Sequence, residues 1–310
     1  SLQANVELPI EMEMVAAAGA EGVGLLRTEF MFMNRGDIPS EAEQTRALRV
    51  IVEAMHGRPV TIRTLDAGAE KPVPALLGIL DEAATTQLGL RGIRLSLKLI
   101  ETLETQFRAI LRVAASAHGG GNVRILLPMV STPGEVRKAK ALLAETAMCL
   151  ASEGVKVPAK LPPVGIMIEV PGAALAADSL AQASDFFAIG SNDLTMYTLA
   201  VDRGNEHVAH LFDTLHPAVL RLIQFATQAA LRARIPVSIC GEIAGDARYT
   251  ALLIGLGLRD FSMAAANIPK VKSRILGMDV LAATQRANLI MEQTDSGRIA
   301  TLIDDFNSLA

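Results

Sequence analysis

Eight short β-branched or aliphatic runs recur along the 310-residue chain, at residues 4–8, 23–27, 60–65, 123–129, 164–169, 186–190, 237–240 and 261–263. Runs of four to eight residues that stay apolar throughout are the mark of strands buried on both faces, as in a parallel sheet covered by helices. Between them lie segments of helical periodicity at 40–55, 100–117, 132–151, 171–181, 218–233 and 247–256, several opening with Ser, Thr or Pro at cap-like positions. Parallel neighbours need a crossover of a dozen or more residues, and these segments supply it. The pattern predicts an α/β fold, a closed (β/α)8 TIM barrel over residues 1–277. Residues 278–310 read as a mixed-charge helical tail, packed on the barrel or at a subunit interface. An open doubly wound sheet is the competing architecture, but no Gly-x-Gly-x-x-Gly follows the first strand.

Composition excludes several classes of function. Half of the residues are apolar, yet no run approaches the ~18 of a membrane helix, and the first 14 residues carry acids rather than a basic signal-peptide head. A cytoplasmic protein with no membrane contact is expected. The net charge of −4 and 4 % aromatic content argue against a nucleic-acid partner. Cys149 and Cys240 form no CxxC pair and give no disulfide framework.

Chemistry should gather at the C-terminal ends of the barrel strands. Arg27 and Arg63 close the second and third strands, Glu169 closes the fifth, Asn192 and Asp193 follow the sixth, and Cys240 closes the seventh. Glu169 and Asp193 are hard oxygen donors of the kind Mg²⁺ accepts, and arginines around them imply a phosphate or carboxylate ligand. Arg91 and Arg94 lie in Gly89-Leu90-Arg91-Gly92-Ile93-Arg94, inside a Gly- and Pro-rich segment, 66–95, read as an elaborated loop over the same face. The other reading is that they are solvated loop arginines, Arg94 more so than Arg91. Arg203 sits in the turn-like Asp202-Arg203-Gly204-Asn205 and could fold back over the metal. Cys240 reads either as a small core residue or, at a strand end, as a proton donor to carbon. Cys149 reads as core, and Lys71 as a site cation or a solvated side chain.

Taken together, Gly24-Leu25-Leu26-Arg27-Thr28-Glu29-Phe30, Ile62-Arg63-Thr64-Leu65-Asp66, Leu88-Gly89-Leu90-Arg91-Gly92-Ile93-Arg94, Ile168-Glu169-Val170-Pro171, Ile189-Gly190-Ser191-Asn192-Asp193-Leu194-Thr195 and Cys240-Gly241-Glu242 resemble the C-terminal domain of Enzyme I of the bacterial phosphotransferase system. Pyruvate phosphate dikinase and phosphoenolpyruvate synthase share that barrel superfamily. The resemblance implies a phosphoenolpyruvate-protein phosphotransferase domain that binds phosphoenolpyruvate (PEP) and Mg²⁺. Glu169 and Asp193 would hold the metal, Arg27, Arg63, Arg91 and Arg203 the anion, and Asn192 a polar contact. Cys240 and Arg63 would be catalytic, the thiol protonating the methylene carbon. The implied partners are a phosphohistidine domain, a downstream histidine phosphocarrier protein and a second copy in a homodimer. None of His56, His118, His207, His210 or His216 has the Gly- and Ser/Thr-rich surroundings of an acceptor; His118-Gly119-Gly120-Gly121 comes nearest and reads as a connection. The start at Ser1, almost on the first strand, is what a truncated or processed domain would show. Thr85-Thr86-Gln87 and Gly68-Ala69-Glu70-Lys71 depart from the family pattern. A dikinase or synthase fragment and a PEP-sensing barrel without turnover remain alternatives.

Overall fold

The computed structural model describes residues 1–67, 73–77, 86–116 and 122–308. Within them β1 (Leu2–Val6), β2 (Val23–Arg27), β3 (Val60–Arg63), β4 (Val123–Leu127), β5 (Val164–Ile168), β6 (Phe187–Gly190), β7 (Val237–Cys240) and β8 (Asp260–Met263) pair in sequence order, all parallel, and β8 returns to β1. The closed barrel is the one the strand pattern predicts. Thr85, residues 68–71 including Lys71, and the His118-Gly119-Gly120-Gly121 segment lie outside the described residues.

The described helices are α1 (Met12–Ala17), α2 (Glu41–Ala54), α3 (Pro74–Leu77), α4 (Ile93–Lys98), α5 (Ile100–Ala114), α6 (Pro133–Ser152), α7 (Pro171–Leu175), α8 (Ala177–Ala181), α9 (Ser191–Leu199), α10 (Pro217–Ala233), α11 (Glu242–Gly245), α12 (Thr250–Gly255), α13 (Ile268–Leu276), α14 (Val280–Met291) and α15 (Ser296–Ser308). Ser40 and Thr132 cap α2 and α6 by accepting from Glu43 N–H and Glu135 N–H, and each glutamate reaches back to its cap. The segment read as one helix over 171–181 is two short ones, because Ala176 leaves helical geometry at φ −97°, ψ 17°. The 66–95 segment is not loop throughout: α3 and the start of α4 fall within it. Cys149 is exposed on α6, which corrects its reading as core. No helix among the described residues is long and apolar enough to cross a membrane.

Side chains alternate along each strand, as the pleat requires. Ile62, Ile125, Leu127, Ile166, Ile168, Phe187, Ile189, Ile239 and Phe261 join the core shared with the helices. Leu25, Leu126, Met167, Phe186, Ala188 and Cys240 form a separate apolar cluster inside the barrel. Arg63 is paired in register with Leu126, and Glu169 follows Met167 by two residues, the step that keeps both on one side of the sheet.

Several strands end sooner than their apolar runs, for one recurring reason. Past Val6, the backbone N–H groups of Glu7 and Leu8 donate to Glu11 Oε1 at 3.0 and 2.6 Å. Past Arg63, Leu65 N–H donates to Gln106 Oε1 at 2.9 Å and Asp66 N–H to Glu29 Oε1 at 3.0 Å. Past Leu127, Met129 takes a left-handed φ of 58° and its N–H donates to Glu169 Oε1 at 2.6 Å. Side-chain acceptors thus replace the ladder at the mouth, satisfying buried donors while freeing the chain to turn.

The helical shell is held to the barrel by buried rings such as Phe107 of α5. Phe107→Ala is expected to cost about 3–5 kcal/mol of unfolding free energy. Urea denaturation checks this, and a loss below ~1 kcal/mol would mean that α5 is not docked as described.

Candidate functional site

Arg27, Arg63, Arg91, Glu169, Asn192, Asp193, Arg203 and Cys240 all line one cleft at the C-terminal mouth, together with Leu25, Asp66, Gln87, Met167, Gly190 and Gly241. The residues given metal, anion-binding or catalytic roles are therefore brought together. Arg94 is not: it donates to Leu88 O at 3.3 Å and Ser131 Oγ at 3.5 Å, away from the cleft lining.

The heart of the cleft is a buried ionic cluster. Arg63 lies 3.1 Å from Glu29 Oε1 and 3.1 Å from Asp66 Oδ2. Arg91 grips Asp66 with Nε on Oδ1 at 3.0 Å and Nη2 on Oδ2 at 3.1 Å, and its Nη1 donates to Asp193 Oδ1 at 2.8 Å. Burial alone would lower both arginine pKa values, but the carboxylates outweigh it and raise them. Both guanidiniums stay charged.

Arg91 is held from further sides. Its Nη1 also meets Gln87 Oε1 at 2.8 Å and Tyr197 Oη at 3.0 Å, and the Tyr197 hydroxyl donates to Gln87 O at 2.5 Å. The loop that carries it is pressed against the end of β4: Ile93 N–H donates to Pro128 O at 3.0 Å. Gly92 has φ +56°, and a Cβ there would stand 2.8 Å from Met129 Cβ, so the approach needs glycine. Arg91 is thus a buried residue of the cleft and not a solvated loop arginine.

Glu169 is fully buried, with Oε1 accepting from Met129 N–H and Oε2 without a hydrogen-bond partner. Burial, then the Asp193 and Asp66 charges, push its pKa up to about 8 against the pull of Arg63 and Arg91. Glu29, Asp66, Glu169 and Asp193 gather four carboxylates around Arg63 and Arg91. An orphaned carboxylate oxygen beside other carboxylates is what a hard divalent cation would satisfy. Among the described residues no group of three or more His, Cys, Asp or Glu forms a closed metal cage. Glu169 and Asp193 fit instead the open arrangement in which Mg²⁺ takes one or two carboxylates and fills its shell with water and substrate oxygens.

Cys240 is buried beside this cluster, its Sγ donating weakly to Ile189 O at 3.5 Å. Burial, then the Glu169 charge, push the thiol up to about 12, although Arg63 and Arg27 oppose the shift. These influences keep the thiol protonated at neutral pH. After it the chain turns through Gly241 at φ +140°, where a Cβ would fall 2.1 Å from Ser191 Oγ. That contact sets the exits of β6 and β7 side by side. Asn192 bridges them, accepting from Glu242 N–H at 3.1 Å and donating to Glu242 Oε1 at 3.3 Å. At the rim Arg27 pairs with Glu7.

Strand-end reasoning passed over Glu29, Asp66, Gln87 and Tyr197. One of them had a signal: Tyr197 stands four residues after Asp193 on α9, the spacing that stacks side chains on one helix face.

Residues 1–280 match the family model described as PEP-utilising enzyme, PEP-binding domain. Among curated relatives, the phosphoenolpyruvate-protein phosphotransferase of Cupriavidus necator is 48% identical over 276 residues, which cover 89% of this chain and 46% of the relative. That of Enterococcus faecalis is 40% identical over 308 residues, covering 98% of this chain and 52% of the relative. The chain spans about half the length of the curated relatives it matches. Among solved structures, RipC from Yersinia pestis overlays with a TM-score of 0.47 at 13% identity, covering 91% of this chain and 97% of that one, a likeness too low to carry an argument. With the family model matched over nearly the whole barrel and relatives of this identity, the chain belongs to the PEP-utilising enzymes and corresponds to their PEP-binding domain.

Proposed function

We propose that this chain binds PEP with Mg²⁺ and donates its phosphoryl group to a histidine on another domain, releasing pyruvate, as half of a phosphoenolpyruvate-protein phosphotransferase. The observation that carries the reading is the convergence of four arginines, two metal-competent carboxylates and one protonated thiol on a single cleft. Phosphoryl transfer asks a protein mainly for positioning and charge neutralisation, and this lining offers both.

In this reading Arg27, Arg63 and Arg203 hold the phosphate, Arg91 completes the cationic surround, and Asn192 gives a polar contact to phosphate or carboxylate. Glu169 and Asp193 hold Mg²⁺, which when bound neutralises charge on the phosphoryl and enolate oxygens. The bond from phosphorus to the enol oxygen breaks as the bond to the acceptor imidazole nitrogen forms, and the electron pair stays on the enolate. The Cys240 thiol gives its proton to the methylene carbon, yielding pyruvate, and is reprotonated from solvent. Leu25 and Met167 surround that thiol with apolar side chains suited to a methylene group. The partners in this account are a phosphohistidine domain, a histidine phosphocarrier protein and a second copy in a homodimer, acting in the cytoplasm.

PEP should raise the melting temperature in the presence of Mg²⁺ and not in its absence; no shift at millimolar ligand would contradict the reading. With an acceptor histidine domain supplied in trans, pyruvate and phosphohistidine should form, and Arg63→Ala or Asp193→Ala should abolish both. Cys240→Ala should lower turnover at least ~100-fold with PEP affinity within about threefold, since a proton donor acts on the chemical step. Equal losses in both would assign Cys240 to binding instead.

Glu169 also sets a pH dependence. Between its ordinary 4.5 and about 8, the folded, metal-free protein keeps a proton that the unfolded chain has released. Stability should therefore fall as pH rises through this window, by up to about 1.4 kcal/mol per pH unit. Glu169→Gln should remove that slope in urea titrations from pH 5 to 9, and an unchanged slope would reassign it.

A further inference from the structure

Arg91 does two things that compete. It belongs to the cationic lining that would receive an anionic substrate, yet its Nη1 sits 2.8 Å from Asp193 Oδ1, one of the two carboxylates fitted for the metal. A guanidinium there occupies part of the coordination space a divalent cation would need, and the two positive charges repel. Nor is the placement loose, since Asp66 grips the same guanidinium through both of its oxygens and Gln87 and Tyr197 hold Nη1 on the carboxylate.

We propose that Arg91 is an internal counter-ion that holds Asp193 in the ligand-free site, and that an anionic substrate draws it away and so opens Asp193 to the metal. This rests on the PEP and Mg²⁺ reading of the cleft and adds a coupling between its two ligands. In the resting site Arg91 Nη1 meets Asp193 Oδ1 at 2.8 Å, so the guanidinium already serves that carboxylate as counter-ion. The substrate phosphate and carboxylate offer Arg91 an alternative bidentate partner. Once it turns to them, Asp193 loses a neighbour and Glu169 Oε2 still has none. By linkage the effect is reciprocal: substrate strengthens metal binding by the same factor by which metal strengthens substrate binding. Mg²⁺ alone then binds weakly, because it must displace Arg91 unaided.

Calorimetric titration of Mg²⁺ into the chain, with and without saturating PEP, tests this. Wild type should bind Mg²⁺ weakly alone and about 5- to 150-fold more tightly with PEP. Arg91→Met should bind Mg²⁺ alone more tightly than wild type does, and the factor added by PEP should shrink. Arg203→Met removes a cation from the same cleft while leaving Arg91 in place, and should change Mg²⁺ affinity by less. Tyr197→Phe takes away one support of Arg91 and should shift Mg²⁺ affinity in the same direction by a smaller factor, which decides the matter if Arg91→Met does not fold. Arg91→Met or Tyr197→Phe binding Mg²⁺ alone no more tightly than wild type would overturn the proposal, as would an equal gain in Arg203→Met. If wild type binds neither ligand, the PEP reading itself falls; if it binds both and the variants leave the coupling unchanged, only the counter-ion role falls.

Discussion

Glu29, Asp66, Glu169 and Asp193 share a largely buried space with Arg63 and Arg91, and the mouth of the barrel is built around keeping those charges together. A buried charge without a partner is costly, and breaking one side of a buried ionic cluster removes several kcal/mol. Here each member is fixed by another: Arg63 by Glu29 and Asp66, Arg91 by Asp66 and Asp193, Glu169 by the Met129 N–H. The left-handed backbone at Met129 is a local cost of order 1–3 kcal/mol accepted at this place, where it aims an N–H at a carboxylate. One oxygen of the cluster, Glu169 Oε2, keeps no hydrogen-bond partner, a position that a cation would satisfy.

Strand register delivers Arg63 and Glu169, while Glu29, Asp66, Arg91 and Asp193 come from the segments between strands. Leu25, Met167 and Cys240 form an apolar cluster that lines the same cleft. Apolar packing below and ionic packing above give the cleft two chemical halves. A substrate with a reactive methylene and a highly charged phosphate would find a place for each. The thiol at the boundary keeps its proton because burial and Glu169 both disfavour the thiolate.

Much of this was legible in the sequence where the signal is local. Eight apolar runs gave the barrel, and polar residues at their ends gave Arg27, Arg63, Glu169 and Cys240, because period-two alternation is readable without coordinates. Arg91 stood out only through its glycine-flanked motif; its burial follows from Gly92 docking on Pro128 and Met129, a contact between segments more than thirty residues apart. Glu29 and Asp66 escaped notice because their importance lies in whom they pair with. Strand ends at β1, β3 and β4 were placed late for a related reason: Glu11, Gln106, Glu29 and Glu169 capture the backbone N–H groups there, and propensity does not see a distant acceptor. Cys149 shows the converse error, since an apolar residue in a helical pattern need not face inward.

The central claim is that one cleft binds PEP and a divalent cation and presents a proton donor to the methylene carbon. A crystal structure of the chain with PEP and Mg²⁺ tests it most directly. The account predicts a metal shared by Glu169 and Asp193, guanidinium contacts to the phosphate from Arg27 and Arg63, and Cys240 Sγ facing the methylene carbon. A metal bound elsewhere, or a ligand pose that turns the methylene away from Cys240, would contradict it.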